Sequence, residues 1–233
     1  MIQFSDISRK VESLEDYSFP LQYDSIKPET SIDEKEAHDF WDTVFSNQVD
    51  VHRITEADIL NDVYGRAEDE FEFDFDVSSS KMQEAIDKFR ASTWDFLSHK
   101  EREGACKEFA LTIAEKLAIE NPPSVEFYES EPCDCGAFDP DRNCIKINRN
   151  NFDDSQEIVN TVAHEIRHAY QYQMALNPES YIDLLYAYNF THYITPYVDE
   201  NGYVNFIDYQ DQLIEAEARA FANLFRLEEG SNE

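Results

Sequence analysis

Basic residues are scarce in this 233-residue chain: 19 Lys and Arg stand against 50 Asp and Glu, a formal net charge of -31. A surface of that sign repels phosphate backbones and anionic headgroups, which argues against unassisted binding of nucleic acid or membrane. It leaves a highly soluble acidic surface, or attraction to a basic partner or cationic peptide. Also missing is any stretch near the roughly 20 apolar residues of a membrane span. The start, MIQFSDISRKVESLEDYSF, has no basic segment followed by an apolar one, so no signal peptide is read there and the expected compartment is the cytoplasm. Cysteines are too few for a disulfide framework: Cys106 stands alone while Cys133, Cys135 and Cys144 cluster. Reduced thiols are therefore expected; a second metal held by the three clustered cysteines is the weaker alternative, because the C-x-C…C spacing lacks a fourth ligand.

What the chain does have is apolar area, 42% hydrophobic and 14% aromatic residues, enough to offset chain entropy around one core. Residues 1–77 read as an acidic accessory region. Ser31 and Glu34 stand at capping-box spacing before Ala37, Phe40, Trp41, Val44 and Phe45, which recur at helical intervals. Thr55 with Asp58 opens a second such segment carrying Ile59, Leu60, Val63 and Tyr64. Glu70 to Val77 then alternates acidic and apolar residues, which predicts a half-buried strand with three Phe and a Val on one face. The serines at 78–80 mark the boundary with a second region, 78–233.

That second region reads as α+β, mainly helical with a small antiparallel sheet. Helices are expected over 81–97 and 100–119, the latter capped by Ser98 and Glu101 and stopped before Pro122-Pro123. Strands follow at 125–128, 136–138 and 144–148, the last two as a hairpin. A long helix over 155–176 starts at Asp154 and Glu157 and ends near Asn177-Pro178. Another is expected over 179–193, a turn region at Pro196 and Asn201-Gly202, and a last helix over 208–227.

The long helix contains His164-Glu165-Ile-Arg-His168. Histidines four apart lie one turn from each other on one helical face, where both imidazoles can reach one zinc ion while the intervening Glu handles a proton. On a helical wheel Ile158, Val159, Ile166 and Ala169 fall within about 60° of Val162, whereas His164 and His168 fall near 200° and 240°. The histidines thus face away from the apolar stripe, as a helix lining a cleft requires. A catalytic zinc site normally takes three protein ligands and keeps one position open. The last helix offers the third: Glu215 lies about 60° from the centre of its apolar stripe at Ala218, and small Ala218 and Ala222 allow close approach. Asp211, one turn earlier, is the substitute or a partner orienting a histidine; Glu217 and His192 are weaker candidates.

H-E-x-x-H followed by a helix bearing Glu215-Ala-Glu-Ala218-Arg-Ala-Phe221-Ala222 resembles the gluzincin metallopeptidases, and in particular the bacterial and phage ImmA/IrrE-like group, over roughly residues 125–228. The resemblance implies a zincin-like fold, one Zn2+ per chain held by His164, His168 and Glu215, Glu165 as catalytic base, and hydrolysis of peptide bonds in a protein or peptide substrate. It also implies that an extended substrate pairs with the edge of the 136–148 hairpin. One position departs: four residues after the ligand Glu, where gluzincins commonly carry Asp or Asn supporting a zinc-binding His, stands Arg219. Tyr209, Tyr188, His192 and Arg167 are candidate donors to a developing oxyanion. Two other classes fit the same residues, a catalytically silent zinc-containing acidic adaptor and a toxin or effector protease module; Glu165 between the ligands speaks against the adaptor.

Overall fold

The structure, a computed structural model, describes residues 56–131, 134–198 and 204–227. The helix expected to follow Ser31, Cys133 and the Asn201-Gly202 turn lie outside them.

Chain order sets the architecture, which is α+β. Helix α1 (Glu56–Val63) comes first, then an extended segment, α2 (Ser80–Asp87), α3 (Ala91–Trp94) and α4 (His99–Lys116). The alternation at 70–77 does encode an extended backbone with one dry face: Phe71, Phe73, Phe75 and Val77 are half-buried and the acidic residues between them exposed. It is not a strand, because no ladder forms there. Instead Phe73 and Phe75 pack edge-on against Phe221, with ring centroids 5.4 and 5.0 Å away. Alternation specifies which side is covered, not what covers it.

The helix expected over 81–97 is two helices, with a turn at Lys88–Arg90. Positions five apart on an unbroken helix lie about 140° apart, yet Phe89 and Trp94 are both fully buried and stack at 4.9 Å. The turn lets both enter one core. Helix α4 begins as its capping box predicts: Ser98 accepts from the Glu101 N–H, and the Glu101 carboxylate accepts from the Ser98 N–H at 2.8 Å. It stops at Lys116, ahead of Ala118 in the left-handed region (φ 54°).

Strands β1 (Ser124–Tyr128), β2 (Gly136–Asp139) and β3 (Cys144–Asn148) form one sheet in the order β1-β3-β2. The hairpin β2–β3 is antiparallel, with Gly136 opposite Ile147. The sheet as a whole is mixed, since β1 runs parallel to β3. Strand β2 lies at the far edge of the sheet from β1, and β3 runs between them in the direction of β1. Ile145 and Ile147 of the central strand are fully buried and join Phe109, Phe152, Ile158, Val162, Ile166 and Phe221 in the main core.

Helix α5 (Ser155–Leu176) lies against this sheet, its first turn capped by Asp154, whose carboxylate accepts from the Glu157 N–H at 3.0 Å. Then come α6 (Tyr181–Thr191), the short antiparallel pair β4 (Tyr197–Val198) and β5 (Val204–Asn205), α7 (Ile207–Gln210) and α8 (Leu213–Ala222). The single helix expected over 208–227 is thus broken at Asp211–Gln212. The Gln212 side chain, fully buried, accounts for the break. Its amide donates to the Ile194 and Tyr209 carbonyls at 2.8 and 2.9 Å and accepts from Asn189 Nδ2 and the Ile194 N–H at 2.9 and 3.1 Å. With Gln212 extended, Glu215 falls in the first turn of α8, where the helix dipole favours a carboxylate. Helix α8 packs along α5 more extensively than any other pair of described elements. No described helix is long and apolar enough to cross a membrane.

Candidate metal centre

Helices α5 and α8 bring three side chains to one point. His164 and His168, one turn apart, set their Nε2 atoms 2.9 Å from each other. The two carboxylate oxygens of Glu215 lie 3.3 Å from His164 Nε2 and 3.4 Å from His168 Nε2. Metal bonds of about 2.0–2.1 Å at the tetrahedral angle put donor atoms about 3.3 Å apart, so this spacing is that of three ligands around one small cation. Two imidazoles and a carboxylate are also a donor set that suits zinc and leaves a coordination position over. Glu215 and His168 are nearly inaccessible, whereas the His164 side chain keeps 17% exposure, so solvent approaches the cluster from the His164 side.

The charges are mutually adjusted. Burial works against ionising Glu215, but the two imidazoles outweigh it and hold its carboxyl well below the usual range. Burial likewise works against charging His168, and Glu215 outweighs it, pushing that imidazole up to about 9. Glu165, between the two histidines in sequence, is buried and its carboxyl is raised, first by that burial, with His164 and His168 opposing. Beside it lies the start of β2. A Cβ at Gly136 would stand 2.6 Å from Thr161 Cγ2, 2.7 Å from the Lys146 carbonyl oxygen and 3.6 Å from Glu165 Cγ. Glycine there lets the strand rest directly on α5 next to the Glu165 side chain.

No family model, curated protein or solved structure matches this chain. Function is therefore inferred from the residues and their geometry.

The other residues singled out in the sequence fall elsewhere. Asp211 closes α7, where its carbonyl accepts the Arg66 N–H at 2.7 Å. Glu217 is buried but engaged by Arg167 and by Tyr186, whose hydroxyl donates to it at 2.8 Å. Residues two apart on a helix differ by about 200°, so Glu215 and Glu217 cannot serve one ion. His192 is exposed at the end of α6, its ring stacked on Tyr188 at 4.0 Å. Arg167 is committed to Glu217, and Arg219 reaches Glu68 and the Gln210 carbonyl at 2.7 and 2.6 Å. Of the four candidate oxyanion donors Tyr209 is at the cluster: burial, followed by nearby Glu215, holds its phenol well above the usual range. Two residues at the centre were not singled out from the sequence. Tyr193 donates its hydroxyl to Glu215 Oε1 at 2.5 Å, and Gln171 Oε1 lies 2.9 Å from His168 Nδ1. Gln171 could have been found by its i+3 spacing from His168 on α5. Tyr193 carries no such signal.

Proposed function

We propose that this protein is a zinc-dependent metallopeptidase of gluzincin type, with His164, His168 and Glu215 as ligands of one zinc ion and Glu165 as general base. The observation that carries this reading is the convergence of two imidazole nitrogens and one carboxylate, 2.9 to 3.4 Å apart, beside a buried glutamate. When bound, zinc supplies Lewis acidity, lowering the pKa of a ligated water and polarising a scissile carbonyl. Glu165 takes the proton of the attacking water on its carboxylate and delivers it to the leaving amine nitrogen. The Tyr193 and Tyr209 phenols, both beside Glu215, are the candidate donors to a developing oxyanion.

Strand β2 is the sheet edge beside Glu165, the place from which an extended peptide can add as a further strand. Backbone pairing would read chain direction more than side chains. The net charge of -31 favours neutral or basic segments.

Metal analysis of the purified protein should give about one zinc per chain, removable by a chelator with loss of activity. On casein or a mixed peptide library, Glu165→Gln should keep its zinc and lose at least about a hundredfold in turnover. Equal cleavage by the two proteins would reject Glu165 as the base, and wild-type protein that takes up no zinc would reject the metal centre.

A further inference from the structure

Behind the ligand histidine lies a chain of buried polar groups that the proposed reaction does not use. Gln171, fully buried, sets its Oε1 2.9 Å from His168 Nδ1. A carboxamide oxygen only accepts and its nitrogen only donates, so the end that faces the ring decides which ring nitrogen carries hydrogen. What fixes that end is on the other side of the amide. Gln171 Nε2 stands 2.7 Å from Glu217 Oε2 and 3.1 Å from the Ile214 carbonyl oxygen. A flipped amide would set its oxygen against two acceptors in a site closed to water, at a cost greater than that of a lost hydrogen bond. The nitrogen therefore faces Glu217, the oxygen faces His168, and the imidazole carries its hydrogen on Nδ1. With Nδ1 so engaged, Nε2 is the nitrogen left to bind a cation, giving up any hydrogen it carries as the metal enters.

Glu217 is held in turn. Its Oε1 accepts from Arg167 Nη2 at 2.5 Å and from the Tyr186 hydroxyl at 2.8 Å. The Arg167 guanidinium is itself packed over the rings of Tyr170, Phe73 and Phe221, 4.4, 5.1 and 5.2 Å from their centroids. All three groups that reach Glu217 are donors, so its remaining oxygen can only accept from Gln171.

We infer that Glu217 is a positioning residue for the metal centre: through the Gln171 amide it selects the Nδ1–H form of His168 and so presents Nε2 to the cation. This rests on the zinc-site reading. It gives Glu217, two residues past the ligand on α8, an orienting task, while Arg219 points to Glu68 and the Gln210 carbonyl. Ligand orientation by such outer groups typically changes metal affinity by about ten- to a hundredfold.

The test is zinc affinity by competition with a chromophoric chelator, on the full chain and without reference to catalysis. Gln171→Met removes the acceptor at nearly constant shape, and Glu217→Gln removes the constraint on the amide. Each should weaken zinc binding about ten- to a hundredfold while the metal-free protein keeps its far-UV circular dichroism. The exchanged double variant Gln171→Glu/Glu217→Gln keeps volume and net charge. Its carboxylate at 171 accepts from His168 whichever way it turns, and the amide at 217 donates to it, so zinc affinity should rise above that of either single variant, short of wild type because a carboxylate oxygen then faces the Ile214 carbonyl. If Glu217→Gln alone does not fold, Gln171→Met and the exchanged variant decide. Wild-type affinity in Gln171→Met, or an exchanged variant no tighter than the singles, overturns the inference and leaves the metal centre standing. Wild-type protein that binds no zinc removes the metal centre, and this role with it.

Discussion

Two glycines separate what the backbone demands at the site from what a helix merely tolerates. At Gly136 an added Cβ meets the Lys146 carbonyl oxygen at 2.7 Å, a backbone atom that cannot rotate away, and Thr161 at 2.6 Å. Gly136→Ala should cost about 1–3 kcal/mol in urea unfolding and reduce peptide turnover, because β2 must lift away from Glu165. Gly104, inside α4, has nothing within 4 Å of such a Cβ. Gly104→Ala should stabilise by about 0.5–1 kcal/mol with activity unchanged. Equal effects from the two changes would mean that the close approach at Gly136 plays no part. The contrast also marks how far single residues can be read from sequence. His164, Glu165 and His168 were legible because four-residue spacing on a capped helix fixes their geometry before any packing. Glu215 was legible less directly, from its place at the edge of an apolar stripe. Gln171 and Tyr193 were not singled out, and Glu217 stood only as a weaker ligand candidate, because a hydrogen bond between packed elements leaves no period in the chain.

Helix starts marked by a side-chain cap were readable, and interior breaks were not. Ser98 and Asp154 each accept from the backbone N–H three residues on, a signal contained within four positions. The breaks at Lys88–Arg90 and Asp211–Gln212 answer instead to distant groups, the shared core around Phe89 and Trp94 and the four hydrogen bonds of Gln212. The same distinction explains why residues 71–77 are extended without being a strand. The second break can be tested. Gln212→Ala strands the Asn189 amide and the Ile194 N–H in a buried setting, with each unsatisfied group costing about 1–3 kcal/mol. A loss of about 3 kcal/mol in chemical denaturation is expected, with zinc affinity falling as well, since Gln212 sets where Glu215 enters α8. Loss of stability with zinc affinity untouched would show that α8 holds Glu215 in place without that break.

A chain with 50 acidic and 19 basic residues carries a field that acts on every charged molecule approaching it. The proposed cleft opens on the His164 side of a cluster in which the carboxylates of Glu165 and Glu215 face two histidines, so the sign of the field met on approach is set by the surrounding acidic surface. Peptides flanked by Lys or Arg should therefore be cleaved with higher kcat/KM than the same peptides flanked by Asp or Glu, mainly through faster encounter. Salt supplies the control. The screening length falls from about 30 Å at 0.01 M to about 3 Å at 1 M, beyond which exposed charges hardly sense one another. The preference should shrink steadily across that range, by roughly tenfold or more if steering dominates, while turnover of a neutral peptide changes little. A preference that persists at 1 M salt would point to direct contacts with particular side chains at the cleft, and a preference absent at both extremes would confine the acidic surface to solubility.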